Sequence, residues 1–409
     1  MEANGANARK EFDQKNQRVE NQVNVGGDYF DSRTYNYFWA SPPRLRRSFD
    51  ALITDKIQNF VGRQFVFNAL DEFLTDNLSG YFIIRSAPGM GKTALMAKLV
   101  SDRGYIHHFN VASQNIRSPR VFLENICAQL IARYGLPYKT LPRNAGEDSS
   151  FLIQCVSDAA ANVANQPIVI AVDSLDESDR LGLAPSVNSL YLPSYLPQGV
   201  YIVITTRPLQ DFHLHVMRQK IIDIEPEANE NLIDIEAYIS NFMIQRGMQA
   251  RLRNWKVTAD SFKMKISQKS QGNFMYLYHV LPAIAEGRFR KGTLDELPDG
   301  LLAYYQRHWR EMRAGKEKEF DTIYAPIVCI LGVAQEPVTT DQIAAWTQIS
   351  PSKVKKSIGD WREFLREEKI DNQRQFRIYH SSFQDFLREQ VDLKQYHKLI
   401  GSRYALPRG

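Results

Sequence analysis

Cysteine is scarce in this chain. Three residues in 409 (Cys127, Cys155 and Cys329) lie far apart, each inside an apolar pattern. That spacing excludes a disulfide scaffold and reads as buried, reduced thiols, the usage expected of a cytoplasmic protein. No run of about 18 apolar residues occurs, so no membrane-spanning helix is expected. The N-terminus, MEANGANARKEFDQ, is polar and lacks the apolar stretch of a signal peptide. No Cys/His cluster has metal-ligand spacing, and no segment of about 20–50 residues repeats, which excludes solenoids and propellers. Charge of one sign is missing as well: the net charge of +5 is spread along the chain and permits contact with nucleic acid without arguing for it. What remains is an ordinary globular composition, 44% hydrophobic and 24% charged, in a chain long enough for roughly two to four compact units.

Residues 1–50 stand apart. Gln, Asn and Arg dominate there, and Ser41-Pro42-Pro43 reads as a linker. From 51 to 225, β-branched runs alternate with helical patterns, which predicts a mainly parallel sheet covered by helices. The strand candidates are Tyr81–Arg85, Tyr105–Val111, Ile168–Val172, Val200–Thr205 and Lys220–Ile224. From 226 to 300 the pattern is helical, with Leu232, Ile235, Tyr238, Ile239 and Phe242 on one face, and further helices over Ala259–Gln268 and Phe274–Ala285. From 301 to 390, helices lead into a hairpin, Glu368–Ile370 with Gln375–Tyr379, and a helix from Ser382, the order of a winged helix. Residues 391–409 are a tail or the start of a further helical unit.

The most specific signal is Ser86-Ala-Pro88-Gly89-Met90-Gly91-Lys92-Thr93-Ala94, which follows an aromatic and β-branched strand and opens a helix with Leu95, Met96, Leu99 and Val100 on its buried face. Phosphate binding needs this arrangement. Small residues let backbone N–H groups curl around oxygens, and the helix N-terminus adds its dipole. Lys92 would reach the β- and γ-phosphates, and the Thr93 hydroxyl would hold Mg²⁺. Ser86 stands where the motif usually begins with Gly or Ala.

A second apolar strand, Ile168–Val172, ends in Asp173-Ser174-Leu175-Asp176-Glu177. An acid at the C-terminal edge of a parallel sheet suits a metal, so Asp173 is the second Mg²⁺ candidate. Asp176 and Glu177 lie where a water could be polarised for attack on the γ-phosphate. The plainer role for Asp173 or Asp176 is helix N-capping. Val200–Thr205 then leads into Thr206-Arg207-Pro208, where Arg207 either senses the γ-phosphate or forms an ion pair with the acids.

Together these residues resemble the signal-transduction NTPases called STAND, and their NACHT branch in particular. The acidic strand is similar to that family's D-G-x-D-E pattern, with Ser174 in place of the glycine. Tyr191 to Pro208 resembles the run into the first sensor, and Phe60-Val61-Gly62-Arg63 the segment that passes over the adenine. Gly272-Asn-Phe-Met-Tyr276 resembles the lid's G-x-F-x-Y, and Tyr379-His380-Ser-Ser-Phe383-Gln-Asp-Phe-Leu387 the winged-helix signature H-x-S-F-x-x-F-L. The likeness covers residues 57–390 in the family's order.

The resemblance implies a P-loop parallel sheet with helices on both faces, then a helical lid and a winged helix. It implies ATP or ADP with Mg²⁺ as ligands, held by Val61, Arg63, Pro88–Ala94, Pro208 and His380. In the family, the histidine latches a closed form on the β-phosphate of ADP, and ATP releases the winged helix to form a homo-oligomer. Ser174, rather than a glutamate, follows Asp173, which implies slow hydrolysis suited to timing a state. An ATPase core with a winged helix also describes DNA-binding proteins. Here Lys353, Lys355, Lys356, Arg362 and Arg366 are interrupted by Asp360, Glu363, Glu367 and Glu368, the pattern of a solvated face more than of a DNA-reading helix. Family members usually carry C-terminal repeat sensors, and no such repeat precedes Gly409, so the trigger is unknown. Residues 12–30 alternate polar residues with Val19, Val23 and Val25 and loosely resemble amyloid-type signalling motifs, although a disordered leader explains them as simply. With no enzymatic effector constellation in view, the expected output is recruitment of a downstream effector protein, in innate or antiviral-type defence or programmed cell death.

Overall fold

The structure is a computed structural model that describes residues 49–163, 166–180, 182–208, 213–246, 248–288 and 294–404. The expected signalling arm, with Val19, Val23 and Val25, lies outside the described residues.

Two helices, α1 (Asp50–Ile57) and α2 (Gln64–Asp76), lead into a five-stranded sheet: β1 (Gly80–Ser86), β2 (Ile106–Phe109), β3 (Ile168–Asp173), β4 (Val200–Thr206) and β5 (Gln219–Ile224). The spatial order is β2-β3-β4-β1-β5, with every pair parallel. All five strands fall where the sequence predicts them, β2 shorter than expected. Parallel strands need crossovers, and α3 (Lys92–Arg103), α4 (Pro119–Tyr134) and α5 (Ser150–Asn162) supply them. Chain chemistry sets their ends. Ser118 caps α4 by accepting from the Val121 N–H, with Pro119 in the first turn, and Gly135 closes it in the left-handed region at φ 59°.

Strand alternation sorts the core into two layers. Ile83, Ile170, Ile202 and Ile204 pack under α4 and α5 with Phe122, Ile126 and Val156. Phe82, Ile84, Val169 and Val203 pack on the other face against Val66, Leu70 and Met96 of α2 and α3. Buried strands on both faces explain the near-continuous apolar runs. The C-terminal edges of β1, β3 and β4 are thereby left to carry the polar residues.

Beyond the sheet come α6 (Asn229–Gln245), α7 (Gln249–Trp255), α8 (Ala259–Ser270), α9 (Phe274–Ala285) and α10 (Gly300–Arg313). Of the stripe expected on α6, Ile235 and Ile239 are fully buried with Met243, while Leu232, Tyr238 and Phe242 are half-buried. A π-helical turn, Phe320–Tyr324, runs into α11 (Ala325–Val333), followed by β6 (Val338–Thr339), α12 (Thr340–Thr347), α13 (Pro351–Asp360), β7 (Leu365–Ile370), β8 (Gln373–Ile378), α14 (Ser381–Gln390) and α15 (Lys394–Tyr404). The hairpin is longer than expected. Its two-residue turn places Asp371 (φ 47°) and Asn372 (φ 64°) in the left-handed region that tight hairpins favour. The third strand, β6, pairs with β8 and was not foreseen. One apolar cluster runs from Ile235 to Tyr396, so the helical unit and the winged helix share a core.

Candidate nucleotide site

β1, between β4 and β5 in the sheet, delivers the chain into the phosphate loop. Gly89 (φ 83°) and Gly91 (φ 87°) take the left-handed turns that let the loop close on itself. α3 starts at Lys92 with no side-chain cap on its first turn. The Lys92 ammonium donates to the carbonyls of Ser86 (2.6 Å) and Ala87 (3.0 Å). Burial brings it down to about 8, partly offset by Asp176 and Asp173. Lysine and loop thus form a cradle whose free groups are donors.

Facing it, Asp173 ends β3 in near-complete burial. Its carboxylate accepts from Thr205 Oγ1 (2.6 Å) and Ser174 Oγ (3.0 Å), with a further hydrogen bond from Thr93. Burial raises its pKa against these hydrogen bonds. Ser174 holds a left-handed φ of 53°, which is a reason for the family pattern to place glycine there. Asp176 and Glu177 sit on the next turn. Glu177 accepts from the Ala112 N–H (3.1 Å), and burial, then Asp176 and Asp173, push it up to about 7.

Arg207 follows β4 and uses all three nitrogens. Nε pairs with Asp176 Oδ2 (2.8 Å), Nη1 with Asp385 Oδ2 (2.6 Å), and Nη2 donates to Ser381 Oγ (3.0 Å). Of the two roles open to it from sequence, ion pairing with the acids is what the described form contains. Asp176 is therefore engaged on one oxygen, while its Oδ1 is buried without a partner.

His380 is the N-cap of α14. Its Nδ1 accepts from the Ser382 N–H (3.1 Å) and meets Ser382 Oγ at 2.7 Å. An accepting Nδ1 carries no proton, so in the neutral ring Nε2 does, as a donor. Burial, with Lys56, Lys92 and Arg207 nearby, keeps this imidazole well below its usual range and hence neutral.

Lys92, Thr93, Asp173, Asp176, Glu177, Arg207 and His380 all line one crevice, together with Val61, Arg63, Pro88, Gly89, Met90, Gly91 and Ala94. Pro208 does not: it is exposed and outside the lining. Arg63 lines the crevice and is also held by the protein's own groups. Its guanidinium is almost fully buried, donates to the Met90 carbonyl (2.6 Å), pairs with Asp234 (3.5 Å) and lies over the Phe274 ring. It ties the phosphate loop to α6 and α9.

Lys56, Tyr278 and Asp385 were not singled out from sequence. Lys56 donates to Tyr379 Oη (2.9 Å), whose ring stacks on Tyr278 at 4.8 Å. Neither carries a motif, and both act through residues more than a hundred positions away. Asp385 sits in a variable place of the quoted winged-helix signature.

The donor set suits a polyphosphate with a divalent cation. An ammonium, free N–H groups at a helix N-terminus and an imidazole N–H converge from one side. A hydroxyl and a carboxylate, the oxygen ligands Mg²⁺ prefers, stand on the other.

Compared with known proteins, the sequence matches no family profile and no curated protein. Among solved structures, the chain is similar to PH0952 of Pyrococcus horikoshii, a Signal Transduction ATPase with Numerous Domains (STAND) that has a tetratricopeptide repeat sensor. Identity is 14%, over 86% of this chain and 46% of that one, at a TM-score of 0.43. The chain thus spans about half the length of PH0952. It is similar also to Drosophila ORC bound to DNA (14% identity, 84% and 99% covered, TM-score 0.34) and to a Thermotoga maritima RuvB mutant (13%, 80% and 95%, TM-score 0.30). The parallel sheet and the phosphate loop between β1 and α3 define the class: a P-loop NTPase fold.

Proposed function

We propose that this chain is an ATP/ADP-controlled signalling switch of the STAND type, related to the NACHT branch. The observation that carries the proposal is that Lys92 of the phosphate loop and His380 of the winged helix line the same crevice. A nucleotide bound there touches both units at once, so gaining or losing one phosphate changes the force between them. Thr93 and Asp173 would hold Mg²⁺, which neutralises charge on the phosphate oxygens. Lys92 and the loop N–H groups bind the β- and γ-phosphates, and His380 Nε2 donates to a β-phosphate oxygen in the docked form. Glu177, with a pKa near 7, is the better-placed base for a slow hydrolysis, because Asp176 is held by Arg207. Inverting a 1:99 population takes about 5.5 kcal/mol of differential affinity, within reach of a γ-phosphate with its cation and donors.

In this reading ATP frees the winged helix, copies of the chain assemble, and clustered N-terminal segments recruit an effector protein in a defence or cell-death response. The DNA-binding alternative fits less well, since the wing packs on the P-loop unit. Glu368 accepts from Gln114 (3.3 Å), and Arg377 donates to Ser113 (3.0 Å). Light scattering on the full chain with ADP and then with ATP and Mg²⁺ tests the proposal. The expected result is monomer mass with ADP, several-fold higher mass with ATP, and monomer mass throughout for Lys92→Ala. Equal masses in both nucleotides would overturn it.

A further inference from the structure

Arg207 is a cation of the crevice whose charge is answered from two directions. Asp176, three residues beyond the end of β3, takes Nε. Asp385 and Ser381, both on α14 of the winged helix, take Nη1 and Nη2. The Asp385 pair is short and charge-assisted at 2.6 Å, made through one guanidinium nitrogen and one carboxylate oxygen. Asp385 reaches no other part of the P-loop unit in these contacts. Its second oxygen accepts from the exposed Arg388 one turn along the same helix (2.8 Å). Arg207 lines the crevice beside Lys92 and Glu177, where the terminal phosphate of a triphosphate would lie, and a bidentate anion there would compete for the same nitrogens.

We propose that Asp385 is an internal anion that stands in for the γ-phosphate on Arg207, so that a docked winged helix and a triphosphate exclude one another at this guanidinium. The inference rests on the crevice being a nucleotide site and adds the residue that makes it discriminate. A diphosphate leaves Arg207 with Asp385 and keeps its own contacts to Lys92 and His380. A triphosphate must break the Arg207–Asp385 pair before its last phosphate is fully held, and breaking that pair removes one tie between α14 and the sheet. Asp385 is thus a positioning residue, acting through Arg207, and its effect falls on the choice between two ligands.

The test is a set of affinities for ATP and ADP, with Mg²⁺, measured on the full chain by calorimetry. Asp385→Asn keeps the shape at a partly exposed position and removes the charge. It should raise ATP affinity roughly five- to tenfold while ADP affinity stays within about twofold. Asp385→Glu should restore the wild-type ratio. Ser381→Ala should shift the ratio in the same direction by less. In an Arg207→Ala background Asp385→Asn should leave the ratio unchanged, because the competition has lost its object. An unchanged ratio in Asp385→Asn, equal shifts for both nucleotides, or a shift that persists without Arg207 would each overturn the inference. Wild-type chain that binds neither nucleotide would instead overturn the nucleotide-site reading beneath it.

Discussion

Burial and two neighbouring carboxylates, Asp176 and Asp173, push the Glu177 carboxyl up to about 7, from 4.5 as its ordinary value. Below the ordinary value the group is protonated in folded and unfolded chains alike, and folding is not penalised. As pH rises, the unfolded chain ionises first, and the folded one loses stability until pH passes the raised value. The loss amounts to roughly 3 kcal/mol at its full extent. Glu177→Gln removes the titration, so its thermal midpoint should match wild type near pH 4 and exceed it increasingly up to about pH 7, then level off. A difference independent of pH would show that the carboxyl ionises normally. His380 illustrates a different residue-scale point. Its cap on α14 uses one ring nitrogen and thereby fixes the other as a donor, which a motif alone does not reveal.

Elements were legible in proportion to how strongly one period dominated them. β1, β3 and β4 are largely apolar buried runs, and α3 and α9 begin at clear signals, so they could be read from the chain. The third strand of the winged helix could not, since two residues, Val338 and Thr339, carry no alternation. On α6 the apolar stripe was read correctly in outline, but Asp234 was missed. Its buried carboxylate accepts from the Arg63 N–H (3.0 Å), and a side chain at Gly62 would collide with it. A polar residue buried by a partner 171 positions away has no local signature. Removing one partner of such a pair strands a buried charge. Asp234→Ala should therefore cost about 3–5 kcal/mol in urea unfolding, and Asp234→Asn clearly less. Equal costs would mean that packing, not charge, anchors the loop to α6.

At the scale of the molecule, two kinds of boundary meet the winged helix. Its seam with the P-loop unit is polar: Arg366 with Asp55 (3.0 Å), Lys56 with Tyr379, Arg377 with Ser113, and Arg207 with Asp385. Its boundary with the helical unit is apolar and aromatic. His279 stacks on Tyr304 and meets Tyr305 and Phe364. Partly exposed ion pairs contribute about 0–1 kcal/mol each, whereas burying each large apolar side chain contributes about 1.5–3 kcal/mol. In the proposed switch, the polar seam is therefore where the winged helix loosens from the P-loop unit, while the buried Arg63–Asp234 pair keeps α6 tied to the phosphate loop. This difference is not legible in the sequence, because it depends on which surfaces the fold brings together.

Hydrogen exchange on the full chain, first with ADP and then with ATP and Mg²⁺, tests most directly whether the last phosphate governs docking. On exchange to ATP, protection should fall along α1 and the β7–β8 hairpin, while the boundary between α9 and α10 stays protected. Identical exchange at the seam with both nucleotides, or opening between α9 and α10 instead, would contradict the account.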